Sequence, residues 1–429
     1  MNLLKNALLF SFSVMAAAGC GGGGNGSGFF AGPISDVPKS TEKTAQMHLD
    51  GATAAAGGDS FFIDNMRKFV CLTAENRMAD LTAARATSST RIPLTRLLDD
   101  VWYIGSRYVG QYLVKDINGF VVVDTLNNAA EAQQYTIPAL TELGFSKDRF
   151  SIEAVFLTHG HGDHDGGAAY LKSTYNPPIY LGSADASGKS YAPIPIDSAN
   201  LTPREIKIGQ KKIIAFQTPG HTPGATNFII PVRNDGQDIN VLVTGGSSIT
   251  NPSQDSTSYL RSIERTYDYA RQYRVEATLH PHPFWDGSLL NIDKLVNGRP
   301  AGANPFVIGR QKVLTGLAVA RECAAAMVTQ AHPHADLPIW RVSQLTQVQP
   351  APFYEGTVQV MLKSASQPSG NRRITFTGTR TGRVCTAVTD ASGIAECTGF
   401  ALPEPVQVEF AGTQTADARE LPADITLTR

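Results

Sequence analysis

The chain lacks an excess of charge of either sign. Its 429 residues hold 37 lysines and arginines against 38 aspartates and glutamates, which gives a net charge of −1 at pH 7. No basic block stands out that would bind nucleic acid or an anionic membrane surface. We therefore expect a small-molecule substrate as the partner, and no nucleic acid.

Long apolar runs are also scarce. Beyond the N-terminal stretch "NALLFSFSVMAAAGC", no segment approaches the roughly 20 apolar residues of a membrane-spanning helix. That stretch follows Lys5 and is typical of a secretory signal. Its ending "AAGC" resembles a bacterial lipobox, in which Cys20 is lipidated and begins the mature chain, before a glycine-rich tether. An ordinary signal peptidase site is the alternative; both predict an exported protein, periplasmic or membrane-anchored.

Cysteine is sparse as well, with five residues in the chain. Without the lipobox residue four remain, and in an oxidising compartment an even number permits two disulfides. Cys385 and Cys397 lie symmetrically about "TAVTDASGIAE", so a turn at residues 390–393 would bring them together across a hairpin. That leaves Cys71 to pair with Cys323. Free buried thiols are the alternative for both pairs.

Metal-ligating side chains, in contrast, are concentrated. The stretch "THGHGDHDGG", residues 158–167, directly follows the apolar run "IEAVFL" and holds His159, His161, Asp163 and His164. Imidazoles two residues apart behind a strand can turn toward one point, and the glycines allow the backbone to wrap closely around it. Histidine nitrogen with carboxylate oxygen suits zinc. The spacing predicts a metal site.

The same arrangement recurs along the chain. The predicted strand "KKIIAFQ" ends in "TPGHTPG", "INVLVTG" ends in "GSS", and "VEATL" ends in "HPHPFWDG". Residues 260, 263, 267 and 270 have helical spacing and should pack a helix on a sheet. Mixed strands and helices with ligands along one sheet edge predict an α/β fold, a helix–sheet–sheet–helix (αββα) sandwich.

These motifs together resemble the metallo-β-lactamase superfamily, over roughly residues 90–330. Within it the chain is similar to the third β-lactamase subclass, whose ligands are only histidine and aspartate. The resemblance implies two zinc ions, with the first held by His159, His161 and His221. It implies that the second is held by Asp163, His164 and a histidine of "HPHP". For that last ligand His282 is chosen over His280, because "HPFWD" follows it.

The resemblance also implies a reaction. A metal-bound hydroxide, oriented by Asp163, is expected to open a cyclic amide, as in a β-lactamase. Hydrolysis of a lactone, an ester or another amide at the same site is the alternative. A surface binding or adhesion protein that acts through its C-terminal module is a third hypothesis, which a complete ligand set disfavours.

Two positions depart from family patterns. Many relatives carry an aspartate that bridges both metals where this chain has Gly246, and its absence favours the β-lactamase-like branch. That branch tends to have serines nearby that grip a substrate carboxylate. Here Ser247 is present, but Ile249 stands where a second serine is expected.

The remaining segments complete the predicted organisation. Residues 1–28 form the signal and tether, 29–90 an N-terminal extension without recognisable chemistry, and 91–345 the catalytic domain. Alternating short strands in residues 353–429 predict a small immunoglobulin-like β-sandwich. Three histidines outside the ligand set are expected to be exposed: His48, His332 and His334.

Overall fold

The computed structural model describes residues 43–146, 148–197, 201–246, 248–249, 252–298, 301–348, 356–401 and 403–428. The signal, the tether and Cys20 therefore lie outside the described residues, as does Ser247. Among the described helices, none is both long and apolar enough to cross a bilayer.

The described chain begins with helices. They are α1 (Ala45–Ala56), a π-helical stretch (Phe62–Arg67), α2 (Lys68–Val70) and α3 (Met78–Arg85). Thr44 caps α1 by accepting a hydrogen bond from the Met47 backbone, and Gly57 ends it in a left-handed conformation.

The first sheet has seven strands in chain order. They are β1 (Arg91–Leu98), β2 (Val101–Ser106), β3 (Gly110–Lys115), β4 (Gly119–Val123), β5 (Ser151–Phe156), β6 (Ile179–Gly182) and β7 (Ile194–Ile196). The strands β1 to β4 pair antiparallel, and β3 and β4 form a hairpin that turns at Ile117 and Asn118. From β4 onward the pairs are parallel, so the carboxyl ends of β4 and β5 meet at one edge.

The second sheet has five strands in the order β12-β11-β10-β9-β8. They are β8 (Arg204–Ile208), β9 (Lys211–Gln217), β10 (Thr226–Asn234), β11 (Gln237–Val243) and β12 (Val275–Leu279). Only β11 and β12 pair parallel.

Helices cover the outer face of each sheet. The first group is α4 (Ala129–Glu131) with a π-helical continuation (Ala132–Thr136), α5 (Ile137–Glu142), α6 (Gly162–Asp165), α7 (Ala168–Tyr175) and α8 (Ser183–Ala186). The second is α9 (Pro252–Gln272) and α11 (Arg310–Ala331), while α10 (Ser288–Val296) packs on β1 beside the core between the sheets. One apolar core lies between the two sheets, and one lies between each sheet and its helices. These layers are the predicted αββα sandwich, and Leu260, Ile263 and Tyr267 of α9 pack on the second sheet as expected.

His48 corrects an expectation. It was expected to be exposed, but it is fully buried where α1 packs on α11, and its Nδ1 lies 2.7 Å from Glu322 Oε2. The other oxygen of Glu322 accepts from Arg321 and from the Trp340 backbone. A buried carboxylate needs such partners, so His48 joins the N-terminal segment to the long helix. His332 and His334 are exposed, as predicted.

The C-terminal part is all strand. It comprises β13 (Ile339–Arg341), β14 (Ser343–Gln347), β15 (Val358–Ser364), β16 (Gln367–Pro368), β17 (Arg373–Gly378), β18 (Val384–Val388), β19 (Ile394–Cys397), β20 (Val406–Phe410), β21 (Thr413–Gln414), β22 (Ala418–Glu420) and β23 (Ala423–Leu427). They form three small sheets, two of which enclose a core of their own. The pairing starts before the predicted residue 353, since β13 pairs with β22 and β14 with β15. The immunoglobulin-like character and the exact domain boundaries stay predictions.

Both predicted disulfides are present. Cys71 pairs with Cys323 across 252 residues, and Cys385 pairs with Cys397. The predicted turn at residues 390–393 also forms, closed by a hydrogen bond from the Gly393 backbone to the Asp390 carbonyl.

The reason given for the second pair was wrong in one respect. Cys385 and Cys397 were expected to face each other across one hairpin. Instead β18 pairs with β17 and β19 pairs with β15, so the disulfide joins two different sheets. A turn between two sheets of a sandwich has the same local sequence as a hairpin turn, and only the pairing partners distinguish them.

Candidate metal centre

The six predicted ligands meet at one edge of the two sheets. His159 and His161 follow β5, and Asp163 and His164 lie in the short helix α6 directly after them. His221 comes from the loop between β9 and β10, and His282 follows β12. They form two groups of three, His159–His161–His221 and Asp163–His164–His282.

In the first group three ring nitrogens converge. His159 Nε2 lies 3.2 Å from His161 Nδ1, and His221 Nε2 lies 3.1 Å from each of them. His159 is buried, His221 is half-buried and His161 is exposed. The group is therefore reached from solvent on the His161 side.

The second group lies beside the first. His164 Nε2 and His282 Nε2 are 3.2 Å apart, and each lies 3.6 Å from a different carboxylate oxygen of Asp163. The rings of His159 and His164 have centroids 4.1 Å apart, so the two groups share one cleft. Asp163 faces that cleft, with 31% of its side chain exposed.

The donor set fits zinc. A tetrahedral zinc with bonds of about 2.0–2.1 Å to nitrogen places two nitrogen ligands roughly 3.3 Å apart. The pairs of ring nitrogens in this site are separated by 3.1–3.2 Å, close to that distance. Three protein ligands per ion leave a position for water and substrate, which is typical of a catalytic site.

The remaining ring nitrogens are oriented by hydrogen bonds. His221 Nδ1 donates to the Ser248 carbonyl at 2.5 Å, and His282 Nδ1 donates to the Tyr108 carbonyl at 2.8 Å. A carbonyl can only accept, so the proton of each ring lies on Nδ1 and a lone pair remains on Nε2. Such partners fix ring orientation and tautomer in metal-binding histidines.

The electrostatics favour neutral imidazoles in most of the site. Burial, reinforced by the neighbouring histidines, holds the pKa of His159 well below its usual value. Burial lowers the pKa of His221 to about 4 and, with His164 nearby, that of His282 to about 3. Burial also opposes the charged form of His164, but Asp124 outweighs it and raises the pKa. The rings of His159, His221 and His282 therefore offer lone pairs at neutral pH.

Asp124 is a functional residue that the sequence reasoning missed. It follows β4, is fully buried, and its Oδ2 lies 2.7 Å from His164 Nδ1. The same carboxylate accepts from the Thr158 backbone at 2.8 Å and from the Thr158 hydroxyl at 2.9 Å. It thus orients His164 and the start of the histidine loop. The signal in the sequence was an aspartate after the apolar run "GFVVV", beside the strand that delivers the ligands.

Asp185 was also missed. Its Oδ2 accepts from the Gly160 backbone at 2.9 Å and from the Thr222 hydroxyl at 2.6 Å, and its Oδ1 accepts from the Gly224 backbone at 2.9 Å. One carboxylate therefore ties the loop of His159 and His161 to the loop of His221. No local pattern marks it, because the contacts form only in the folded chain.

The choice between the two histidines of "HPHP" agrees with this geometry. His280 is buried beside the cleft, where its Nδ1 accepts from the His282 backbone at 2.9 Å. It belongs to neither three-ligand group. His280 orients the backbone of His282, while the ring of His282 faces the cleft.

The cleft has a volume of about 190 Å³ and an apolar side. Tyr108 stacks on Phe284 with a centroid distance of 5.5 Å, and Trp285 also lines the cleft. Leu81 and Arg85 of α3 line it as well. Residues 29–90 were expected to carry no recognisable chemistry, and α3 indeed holds no motif; only the fold brings these two side chains to the cleft.

Part of the chain is similar to known proteins. Residues 107–245 match the family model described as the metallo-beta-lactamase superfamily. A hydroxyacylglutathione hydrolase of Bartonella tribocorum is 27% identical over 119 residues, which is 28% of this chain and 46% of that protein. A probable metallo-hydrolase of Bacillus subtilis is 31% identical over 128 residues, covering 24% of this chain and 46% of that protein. The chain thus spans about half the length of these two relatives.

Solved structures with a similar fold include two metallo-beta-lactamases. A subclass B3 enzyme of Bradyrhizobium japonicum aligns with 58% of this chain and 98% of its own, at 18% identity and a TM-score of 0.46. One of Cronobacter sakazakii aligns with 59% of this chain and 98% of its own, at 20% identity and a TM-score of 0.46. The segment that matches the family model holds every member of the two ligand groups except His282. Over residues 107–245, the chain is therefore similar to the metallo-beta-lactamase superfamily.

Proposed function

We propose that this protein is a dinuclear zinc hydrolase that opens a cyclic amide, as a β-lactamase does. The observation that carries the proposal is the pair of three-ligand groups in one cleft, His159–His161–His221 and Asp163–His164–His282. Two ions so placed would supply Lewis acidity and a water acidic enough to attack a carbonyl carbon at neutral pH.

The chain's own residues prepare the site. The lone pairs on His159, His221 and His282 are available because burial keeps these rings uncharged. Asp163 presents a carboxylate to the cleft, and the neighbouring His164 and His282 hold its pKa below the usual value in spite of its burial. It can accept a hydrogen bond from the attacking water and orient it, so we assign it the catalytic role. No side-chain nucleophile is required.

The apolar side of the cleft shapes what can bind. Tyr108, Phe284 and Trp285 offer flat surfaces to a ring or an acyl chain while the ligand groups bind the polar centre. Such a mixture of apolar walls and few polar groups is usual for small-molecule sites. It suits a compact organic substrate with one polarised carbonyl.

Hydrolysis of a lactone, a thioester or another ester is the second candidate, and the hydroxyacylglutathione hydrolases among the relatives favour it. Position 246 weighs against it. Gly246 has φ +81°, and a Cβ there would lie 2.5 Å from the Cβ of His221. No side chain fits at this position without moving a ligand, so an aspartate that bridges two metals from here is excluded. Relatives that use such an aspartate are expected to differ from this chain in their reaction.

A substrate panel tests the proposal. Zinc-loaded protein is offered a penicillin, a cephalosporin, a lactone, a thioester and a phosphodiester, with metal-stripped protein and Asp163→Asn in parallel. We expect zinc-dependent opening of the β-lactams that Asp163→Asn loses. Zinc-dependent hydrolysis of the lactone or thioester alone would transfer the assignment to the second candidate. No zinc-dependent hydrolysis of any member would contradict both.

Export through the N-terminal signal, with attachment through lipidated Cys20, stays part of the proposal. It rests on the "AAGC" ending and on the two disulfides, which suit an oxidising compartment.

A further inference from the structure

Helix α3 places a cation at the mouth of the cleft. Arg85, the last residue of that helix, lines the same cleft as the ligand groups. Among the described residues that line this cleft, Arg85 is the only lysine or arginine. Its side chain is exposed, so it is accessible to a bound substrate.

The guanidinium of Arg85 is held at one end and free at the other. Its Nε donates to the Tyr108 hydroxyl at 3.2 Å. Across the described part of the chain, no carboxylate forms an ion pair with it, so Nη1 and Nη2 retain donors. This free pair of donors has the planar geometry that binds a carboxylate with two parallel hydrogen bonds.

Tyr108 shows which part of the cleft the arginine reaches. The Tyr108 carbonyl accepts from His282 Nδ1, and the two rings have centroids 4.8 Å apart. The hydrogen bond between Arg85 and the Tyr108 hydroxyl raises the pKa of Arg85, and the negative charge of Asp163 adds to this effect. The guanidinium therefore stays charged. Arg85 therefore lies on the side of the Asp163–His164–His282 group.

Of the two positions expected to bind a substrate carboxylate, Ser247 lies outside the described residues, and position 249 offers no polar group. Ile249 is 6% exposed and packs in the core with α9 and α11.

We propose that Arg85 binds a carboxylate of the substrate on its leaving-group side, so that the enzyme selects anionic substrates. The inference rests on the proposed function and applies to both candidate reactions. In each, the leaving atom is expected over the second ligand group, and a carboxylate attached near it would meet the guanidinium. Arg85 is a specificity residue, and it does not take part in bond breaking.

The segment that carries Arg85 is firmly attached, as a specificity residue requires. Cys71, seven residues before α3, is joined to Cys323 of α11. Gln330 of α11 donates to the Ala74 carbonyl at 2.6 Å. Arg77 pairs with Glu75 and Asp80 at the start of α3. These bonds fix the helix relative to the catalytic domain.

Matched substrates test the proposal. One pair is a penicillin and its methyl ester; the other is the S-acetyl derivative of 3-mercaptopropionic acid and its methyl ester. Wild type is compared with Arg85→Gln, and with Arg380→Gln as a control that removes one exposed positive charge in the turn between β17 and β18. Zinc content is measured for each protein.

In whichever substrate pair is hydrolysed, the wild-type protein should have a higher kcat/KM for the acid than for its methyl ester. Arg85→Gln should raise KM for the acid roughly five- to twentyfold, the range expected for one partly exposed charge-assisted contact. KM for the ester, kcat and zinc content should change little, and Arg380→Gln should behave as wild type. Equal kcat/KM for acid and ester in wild type, or a preference that survives Arg85→Gln, would overturn the proposal.

Failure of the proposed function remains distinguishable. If neither bond is hydrolysed, calorimetric binding of the same pairs to the zinc-loaded protein decides. If an acid binds more tightly than its methyl ester, and Arg85→Gln abolishes this difference, the role of Arg85 is supported even though the proposed reaction is not. Binding that does not discriminate, or is not detected, overturns it.

Discussion

At the scale of single residues, the ligand set depends on carboxylates and carbonyls that orient the histidines. Four of the five ligand histidines have a hydrogen-bond partner on the second ring nitrogen, and three of these partners come from distant parts of the chain. Each contact leaves the other ring nitrogen directed at the cleft. Metal affinity should therefore respond to residues that touch no metal.

The two neighbouring histidines after β12 give the first prediction. His282→Ala should leave about one zinc per chain, since its Nε2 completes the second group. His280→Ala should retain two, although it should lower thermal stability because the His282 backbone loses a buried acceptor. Zinc analysis after dialysis checks both; the reverse order of zinc loss would show that His280 is the ligand.

The second prediction concerns Asp124. Asp124→Asn removes the charge that orients His164, and the second zinc should bind about 10- to 100-fold more weakly. Competition with a chromophoric chelator measures the change. Asp116→Asn is the matched control, because Asp116 lies at the opposite end of the first sheet and contacts the Gln210 backbone. Equal zinc affinities in the two variants would show that Asp124 does not contribute to zinc binding through His164.

At the scale of elements, the site depends on a segment that has no motif. Helix α3 reaches the cleft because Cys71–Cys323 and the buried His48–Glu322 pair attach the N-terminal segment to α11. A disulfide that closes a long loop stabilises the folded chain mainly by restricting the unfolded one. Here it also attaches to α11 the segment that leads into α3, whose Leu81 and Arg85 line the cleft.

The third prediction follows from that attachment. Replacing Cys71 and Cys323 together by serine should lower the free energy of unfolding by about 2–5 kcal/mol. It should also raise KM for an anionic substrate more than it lowers kcat, because α3 loosens while the ligand loops do not. Replacing Cys385 and Cys397 is the control: stability of the C-terminal strands should fall with KM unchanged. Equal effects on KM would mean that the Cys71–Cys323 bond has no role in positioning α3.

At the scale of the whole molecule, local sequence patterns predicted the features that depend on neighbouring residues. The histidine loop, the strands that deliver each ligand and the αββα layers follow from periodicity, turn residues and the resemblance. Asp185, Arg85 and the buried His48 could not be found in this way, because their partners lie 23 to 274 residues away in the chain. Likewise the Cys385–Cys397 pairing was predicted, but its place between two sheets depends on tertiary strand pairing.

The fourth prediction concerns where the molecule resides. If "AAGC" is a lipobox, Cys20→Ala should move the protein from the membrane fraction to the soluble fraction of a bacterial host. Fractionation with an antibody checks this. A wild-type protein that is already fully soluble after export would contradict lipidation and leave the ordinary signal peptidase site.

The central claim is that the two ligand groups hold zinc for hydrolysis. The direct measurement is a zinc titration of metal-stripped protein, with hydrolysis of a penicillin followed at each addition. Activity should rise with zinc and saturate near two equivalents per chain, and His161→Ala should remain nearly inactive throughout because the first group is broken. Saturation of zinc binding without any hydrolysis would separate the metal site from the proposed reaction, and activity that is independent of zinc would contradict the account.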